Sequence, residues 1–141
     1  MENNINILLD KLQKAMIISG GKVKSTKLLS KLLKDFSKSK SCPKAFIEDS
    51  FDNVAPLFLL KTQKKGKKVV QTPIPLTSKS KSFSIGARWL VKNAKKHNKQ
   101  SFNQNLVIEF HDSYKNRGLS KKQQQELNKL VVLNRAALSR R

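Results

Sequence analysis

KTQKKGKKVVQTPIPLTSKSKSFSIGARWLVKNAKKHNK, residues 61–99, decides the fold, and it holds two shapes. Leu57 to Lys64 and Val69 to Leu76 are apolar, β-prone runs on either side of a Lys-Lys-Gly-Lys-Lys tip. They predict a β-ribbon whose turn takes its positive φ from Gly66. From Phe83 onward the apolar residues Phe83, Ala87, Leu90, Val91 and Ala94 keep to one side of a helix. Arg88, Lys92, Lys95 and Lys99 recur at steps of four, three and four on another. Between Val54 and Ile108 there is no Asp or Glu, while Lys61, Lys64, Lys65, Lys67, Lys68, Lys79, Lys81, Lys96 and the helix cations crowd the same window. Such a block repels itself unless it meets a polyanion.

Working outward, Pro73 and Pro75 stand two apart in the second strand, so their missing N–H groups point the same way and the strand survives. Ser78-Lys79-Ser80-Lys81-Ser82 reads as a linker capping the helix that follows. Upstream, Pro43 suits the first turn of a third helix running to about Val54, with Ile47, Phe51, Val54 and Phe58 on its apolar face. Glu48, Asp49 and Asp52 on that helix, a third of the nine acids, mark the surface turned away from a polyanion. Residues 5–18 form a first helix on Ile5, Leu8, Leu9, Leu12 and Met16, with Lys11 and Lys14 off that face and Gly20-Gly21 as its stop. A second helix, Lys22 to Phe36, places Leu29, Leu32, Leu33 and Phe36 on one face, and Ser37 to Ser41 reads as a polar linker after it. Downstream, Phe102, Leu106, Phe110 and Tyr114 define a fifth helix to Arg117, ended by Gly118. After a loop at Leu119, a sixth helix from about Lys121 turns Leu127, Leu130, Val131 and Leu138 inward. The expected fold is mainly α, a single domain over 1–141: a six-helix bundle with a protruding two-stranded β-hairpin, an arm at about 57–76, between helices three and four.

Thirty Lys and Arg against nine Asp and Glu give a formal net charge of +21 in 141 residues, far beyond what solubility asks for. Cys42 has no partner for an intramolecular disulfide, and the apolar runs, Val131 to Leu133 among the longest, are too short to cross a bilayer, so no membrane is expected. The start, Met-Glu-Asn-Asn followed by Asp10, resembles neither a transit peptide nor a secretory signal. That suits a protein of the bacterial cytoplasm or one made inside an organelle. Twenty-five Lys to five Arg, with abundant Asn, suggest an AT-rich genome and tip the expectation toward the mitochondrial matrix over a plastid or bacterium.

Catalytic groups are sparse, and no enzyme, cofactor or metal is expected. His111-Asp112-Ser113 is a triplet in sequence, but neighbours on a helix point apart, so it is no triad. His97 and His111 read as surface or groove residues, and two His with one Cys make no zinc set. A run of Lys is ordinarily a solvated face. Here cations lie on helix two, the hairpin tip, helix four and the C-terminal end with almost no acids among them, which suits phosphate. Trp89 beside Leu90 reads as core edge, and the few aromatics follow apolar stripes, so the expected mode is backbone and shape recognition of folded RNA rather than base stacking.

The residues Asn53-Val54-Ala55-Pro56-Leu57, the hairpin through Gly66 to Val70-Gln71-Thr72-Pro73-Ile74, Ala87-Arg88-Trp89-Leu90-Val91 and Asn134-Arg135-Ala136, in that order and spacing, resemble the small-subunit ribosomal protein S-seven family. The resemblance runs from about Leu9 to the C-terminus. It implies six helices with a hairpin arm and a role as a structural constituent of the small ribosomal subunit. It further implies binding to the 3′ major domain of small-subunit rRNA, nucleation of head assembly, and a position near the mRNA exit channel and exit-site tRNA. The implied partners are rRNA and neighbouring head and platform proteins, with exit-site tRNA and mRNA at the arm. Carried over by position, Lys22 and Lys24 at the first helix turn, Lys64, Lys65, Lys67 and Lys68 on the arm, and Arg88, Lys92, Lys95 and Lys96 on helix four face rRNA, joined by Lys79, Lys81 and Arg135. Lys65, Gly66 and Lys67 are the part of the arm nearest tRNA and mRNA. A DNA-binding protein and an RNA-modifying enzyme are the rival readings: the charge alone permits the first, and the second lacks a catalytic cluster.

Overall fold

The structure is a computed structural model that describes residues 2–17, 20–39, 42–98 and 100–135. Its elements are α1 (Glu2–Met16), α2 (Lys22–Ser39), α3 (Pro43–Val54), β1 (Phe58–Lys65), β2 (Lys68–Pro75), α4 (Lys79–Lys96), α5 (Phe102–Tyr114) and α6 (Leu119–Leu133). This is the expected arrangement, mainly helical, with the two strands between α3 and α4.

Periodicity explains the core. Ile5, Leu8, Leu12 and Met16 of α1, Leu32 and Phe36 of α2, Ile47, Phe51 and Val54 of α3, Ala87, Leu90, Val91 and Ala94 of α4, and Leu106 and Phe110 of α5 form one buried cluster. At its centre Phe36 meets Phe46 and Phe110 edge-on at 5.2 and 5.1 Å, and Phe51 meets Phe110 at 5.8 Å. This T-shaped geometry is the one the ring quadrupoles favour. Trp89 packs half-buried at the rim of the cluster, as its place beside Leu90 suggests.

The boundaries shift for physical reasons. Both Ser-Lys runs are helical rather than linkers where described. Ser37 and Ser39 donate their hydroxyls back to the Leu33 and Asp35 carbonyls at 2.7 and 3.1 Å, and α2 runs on to Ser39. Residues 40 and 41 lie outside the described residues. In the second run only Ser78 stays extended at the N-cap, without a side-chain cap bond, and α4 starts at Lys79. The buried Ser82 hydroxyl donates to the Pro56 carbonyl at 2.6 Å, which anchors that first turn.

Phe58 belongs to β1 rather than to the face of α3, because Ala55 turns extended (φ −60°, ψ 125°) ahead of Pro56. α5 stops at Tyr114 rather than Arg117, and Leu119 opens α6 rather than a loop. Gly118 sits between them at φ +94°, where a Cβ would fall 2.9 Å from the Asp112 Cβ, so it caps α6 as much as it ends α5. Leu130 is exposed instead of inward, while Leu127 and Val131 are half-buried; Lys99 and Leu138 lie outside the described residues.

The strands pair antiparallel from Phe58↔Pro75 to Lys65↔Lys68, leaving Gly66-Lys67 as a two-residue turn with Gly66 at φ +65°. The prolines are tolerated, with Pro73 opposite Leu60. The base of the arm rests on α6, and its outer half, Lys64 to Val69, is exposed throughout.

Candidate nucleic-acid interface

Lys22, Lys24, Lys64, Lys65, Lys67, Lys68, Lys79, Lys81, Arg88, Lys92, Lys95, Lys96 and Arg135 are all exposed. At 3.6 residues per turn, Lys81, Arg88, Lys92, Lys95 and Lys96 fall within an arc of about 100° on α4. Lys79 lies about 200° round the helix from Lys81 by the same repeat, and its charge instead acts on Asp52 of α3. The structure thus divides the α4 cations: five share a stripe, and one faces the acidic helix. There Asp52 is held above the ordinary carboxylate range, first by partial desolvation and then by the charge of Asp49, against the pull of Lys79.

α1 supplies cations that sequence reasoning left unassigned. It packs on α4 so that Lys11 and Lys14 line a notch of about 200 Å³ together with Ala15, Ser84 and Arg88. Lys14 Nζ lies 2.8 Å from Asp10 Oδ2. That hydrogen bond is the main cause holding the Asp10 carboxyl below its ordinary range, opposed by slight desolvation and aided by the charges of Lys14, Lys11 and Lys22. Lys22 at the head of α2 thus reaches Asp10 by its charge, while Arg88 of α4 shares the notch with Lys11 and Lys14. The Gln13 side chain donating to Thr26 Oγ1 at 2.8 Å pins α1 to α2. The signal was the placement of Lys11 and Lys14 off the apolar face, which fixes a side of α1 but not the helix it packs on.

On the arm the register sets Lys65 directly opposite Lys68. Like charges across a strand pair repel. With Lys64 on the other face and Lys67 in the turn, the tip presents cations to both sides. Arg135, exposed just beyond α6, has no place in the α1–α4 notch.

His97 is not a free surface residue. Its Nε2 lies 3.1 Å from Oε2 of Glu109, whose side chain is fully buried. Glu109 Oε1 accepts from the backbone N–H and the hydroxyl of Ser120 at 2.9 and 2.8 Å, and Asn93 Nδ2 donates to Ser120 Oγ at 3.0 Å. Asn105 Nδ2 donates to the carbonyls of His97 and Gln100, closing the α4–α5 connection. This clasp locks the end of the cationic helix α4 to α5 and α6.

Serine, histidine and carboxylate meet here without a nucleophile. Ser120 and His97 bond opposite oxygens of one carboxylate, and the serine is fully buried. His111 lies against the Phe46 ring, with centroids 5.0 Å apart, and Ser113 donates to the Glu109 carbonyl.

The Gln-rich stretch after Lys121 has a structural use that sequence reasoning missed. Lys121 Nζ donates to the Asn53 carbonyl at 2.9 Å, and Gln124 Nε2 to the Ala55 carbonyl at 2.9 Å, which satisfies the end of α3. No helix among the described residues is long and apolar enough to cross a membrane.

Residues 2–135 match the family described as Ribosomal protein S7p/S5e, almost the whole chain. The chain belongs to the Ribosomal protein S7p/S5e family. Among S7 relatives, the small ribosomal subunit protein uS7 of Carsonella ruddii is 39% identical over 94 residues, 67% of this chain and 60% of that protein. The protein of the same name in Rhodopseudomonas palustris strain BisB5 is 26% identical over 132 residues, 93% of this chain and 84% of that protein. The matches to the Carsonella proteins thus span 60% of those relatives' length, whereas the S7 family match takes in α1 to α6.

Proposed function

We propose that the chain is a structural constituent of the small ribosomal subunit that binds the lower part of the 3′ major domain of small-subunit rRNA and helps nucleate assembly of the head. The observation that carries this reading is the set of exposed lysines on α2, α4 and the arm, with Lys11 and Lys14 of α1 lining a notch with Arg88, in a chain that matches the S7 family over residues 2–135. The cations are mostly Lys, flexible point charges suited to phosphates at varied angles, and they stand on a rigid bundle. Within this reading the exposed cations divide the RNA between them. The α4 stripe with Lys22 and Lys24 lies on the rRNA body, while Lys64 to Lys68 reach along the arm toward the mRNA exit channel and exit-site tRNA. Arg135, exposed just beyond α6, adds a further cation for rRNA. Lys79, paired in charge with Asp52, contributes least.

The relatives named above are bacterial, which favours a bacterial ribosome over the mitochondrial one suggested by the Lys-rich composition. The test is competition at raised salt between a transcript of the lower 3′ major domain and duplex DNA of equal charge. Preference for the folded rRNA is expected, and equal binding overturns the reading in favour of a general nucleic-acid binder.

A further inference from the structure

The notch between α1 and α4 is a polar recess lined by cations from two helices. Lys11 and Lys14 come from one helix and Arg88 from another, more than seventy residues along the chain. Ser84 lines it too, but its hydroxyl donates to the Ser80 carbonyl at 2.9 Å, which leaves the three cations as the donors. No aromatic ring lines the notch, so it offers nothing for a base to stack on. At about 200 Å³ it is smaller than the usual small-molecule site. A single anionic group projecting from a larger ligand fits that description. Asp10, exposed at the edge of α1, is bonded to one of them, Lys14, at 2.8 Å, and feels the charge of Lys11.

We propose that this notch seats one phosphate of an RNA backbone and that Asp10 is its resident counter-ion, holding Lys14 in place until the phosphate takes over the contact. The proposal rests on the rRNA reading above and adds a defined seat to it. Two consequences follow with opposite signs. Lys11 and Arg88 favour the phosphate, so their removal weakens binding and removes a counterion-release contribution. Asp10 competes with the phosphate for Lys14, so its neutralisation strengthens binding. An acid in this position also disfavours every polyanion that cannot fill the notch, which works against indiscriminate binding.

The experiment measures the affinity of the full chain for a transcript of the lower 3′ major domain of bacterial small-subunit rRNA across a salt series, with circular dichroism to verify that each variant is folded. Lys11→Gln and Arg88→Gln are each expected to weaken binding severalfold and to lower the slope of log affinity against log salt by about one. Asp10→Asn is expected to tighten binding by about twofold to fivefold at low salt. Unchanged slopes for Lys11→Gln and Arg88→Gln, with an arm variant still losing slope, overturn the notch and leave the rRNA reading standing. Weakened binding by Asp10→Asn overturns the counter-ion role. A wild-type chain that does not prefer the transcript over duplex DNA removes both the seat and the reading it rests on.

Discussion

Glu109 shows how one residue holds a surface it never touches. Its carboxylate is fully buried, yet it is bonded by His97, by the Ser120 amide and by the Ser120 hydroxyl. Removing it leaves those partners unpaired in the interior and loosens the end of α4. Glu109→Ala is expected to cost about 3 kcal/mol in urea unfolding, and a cost under about 1 kcal/mol would show that the clasp is dispensable. Asn103 presents the opposite case. It is 3% exposed, and neither atom of its side-chain amide has a hydrogen-bond partner. Asn103→Leu is therefore expected to hold or raise stability, by up to about 1 kcal/mol, in the same assay; a clear loss would show that the amide has a use.

Asp52 gives a pH signature. Its folded-state value lies above the 3.8 of a free carboxyl. Ionisation therefore opposes folding, and the stability gained with the proton bound is lost as pH rises through that window. Asp52→Asn should remove this decline, so that the thermal midpoint at about pH 7 minus that at about pH 4 is more positive in the variant than in the wild type. An unchanged gap would rule Asp52 out as its source.

At the scale of the element, the arm is a two-stranded ribbon whose outer half buries almost nothing, with lysines opposed at its tip. A ribbon of this kind is marginal by itself and gains from a polyanion that neutralises the tip. Replacing Lys65, Lys67 and Lys68 together by Gln is expected to lower the salt slope of rRNA binding by up to about 2.7, from about 0.9 per phosphate contact, while leaving the thermal midpoint unchanged or higher. An unchanged slope would show that the tip is idle.

The elements also show what the sequence makes readable. Helix periods and the Gly66 turn are local signals, and they place six helices and the hairpin correctly. Ser-Lys runs carry no period, so the end of α2 and the start of α4 depend on serine hydroxyls finding carbonyls, one of them that of Pro56 in the α3–β1 connection. His97 and Gln124 could not be assigned from spacing, since their partners, Glu109 and the Ala55 carbonyl, are brought to them by packing. The candidate site divides the same way. Exposure of the α4 stripe follows from its helical period, whereas its extension onto Lys11 and Lys14 depends on which helix α1 packs against.

For the whole molecule, sidedness is the property that matters most. A net charge of +21 could be spread evenly, and then it would bind any polyanion weakly. Instead Lys11, Lys14, Lys22 and Arg88 are gathered by α1, while Glu48, Asp49 and Asp52 stand on α3 with Lys79 turned toward them. Under the proposed function, the Lys11, Lys14 and Arg88 side of the bundle meets RNA and the acids of α3 stand away from it. The most direct test tethers an iron chelate to single cysteines, Lys92→Cys on α4 or Asp49→Cys on α3, in a Cys42→Ser background, and maps hydroxyl-radical cleavage of bound small-subunit rRNA. Strong cuts in the lower 3′ major domain from position 92 with few or none from position 49 are the predicted result; equal cutting from both, or cutting from 49 alone, would contradict a one-sided RNA surface.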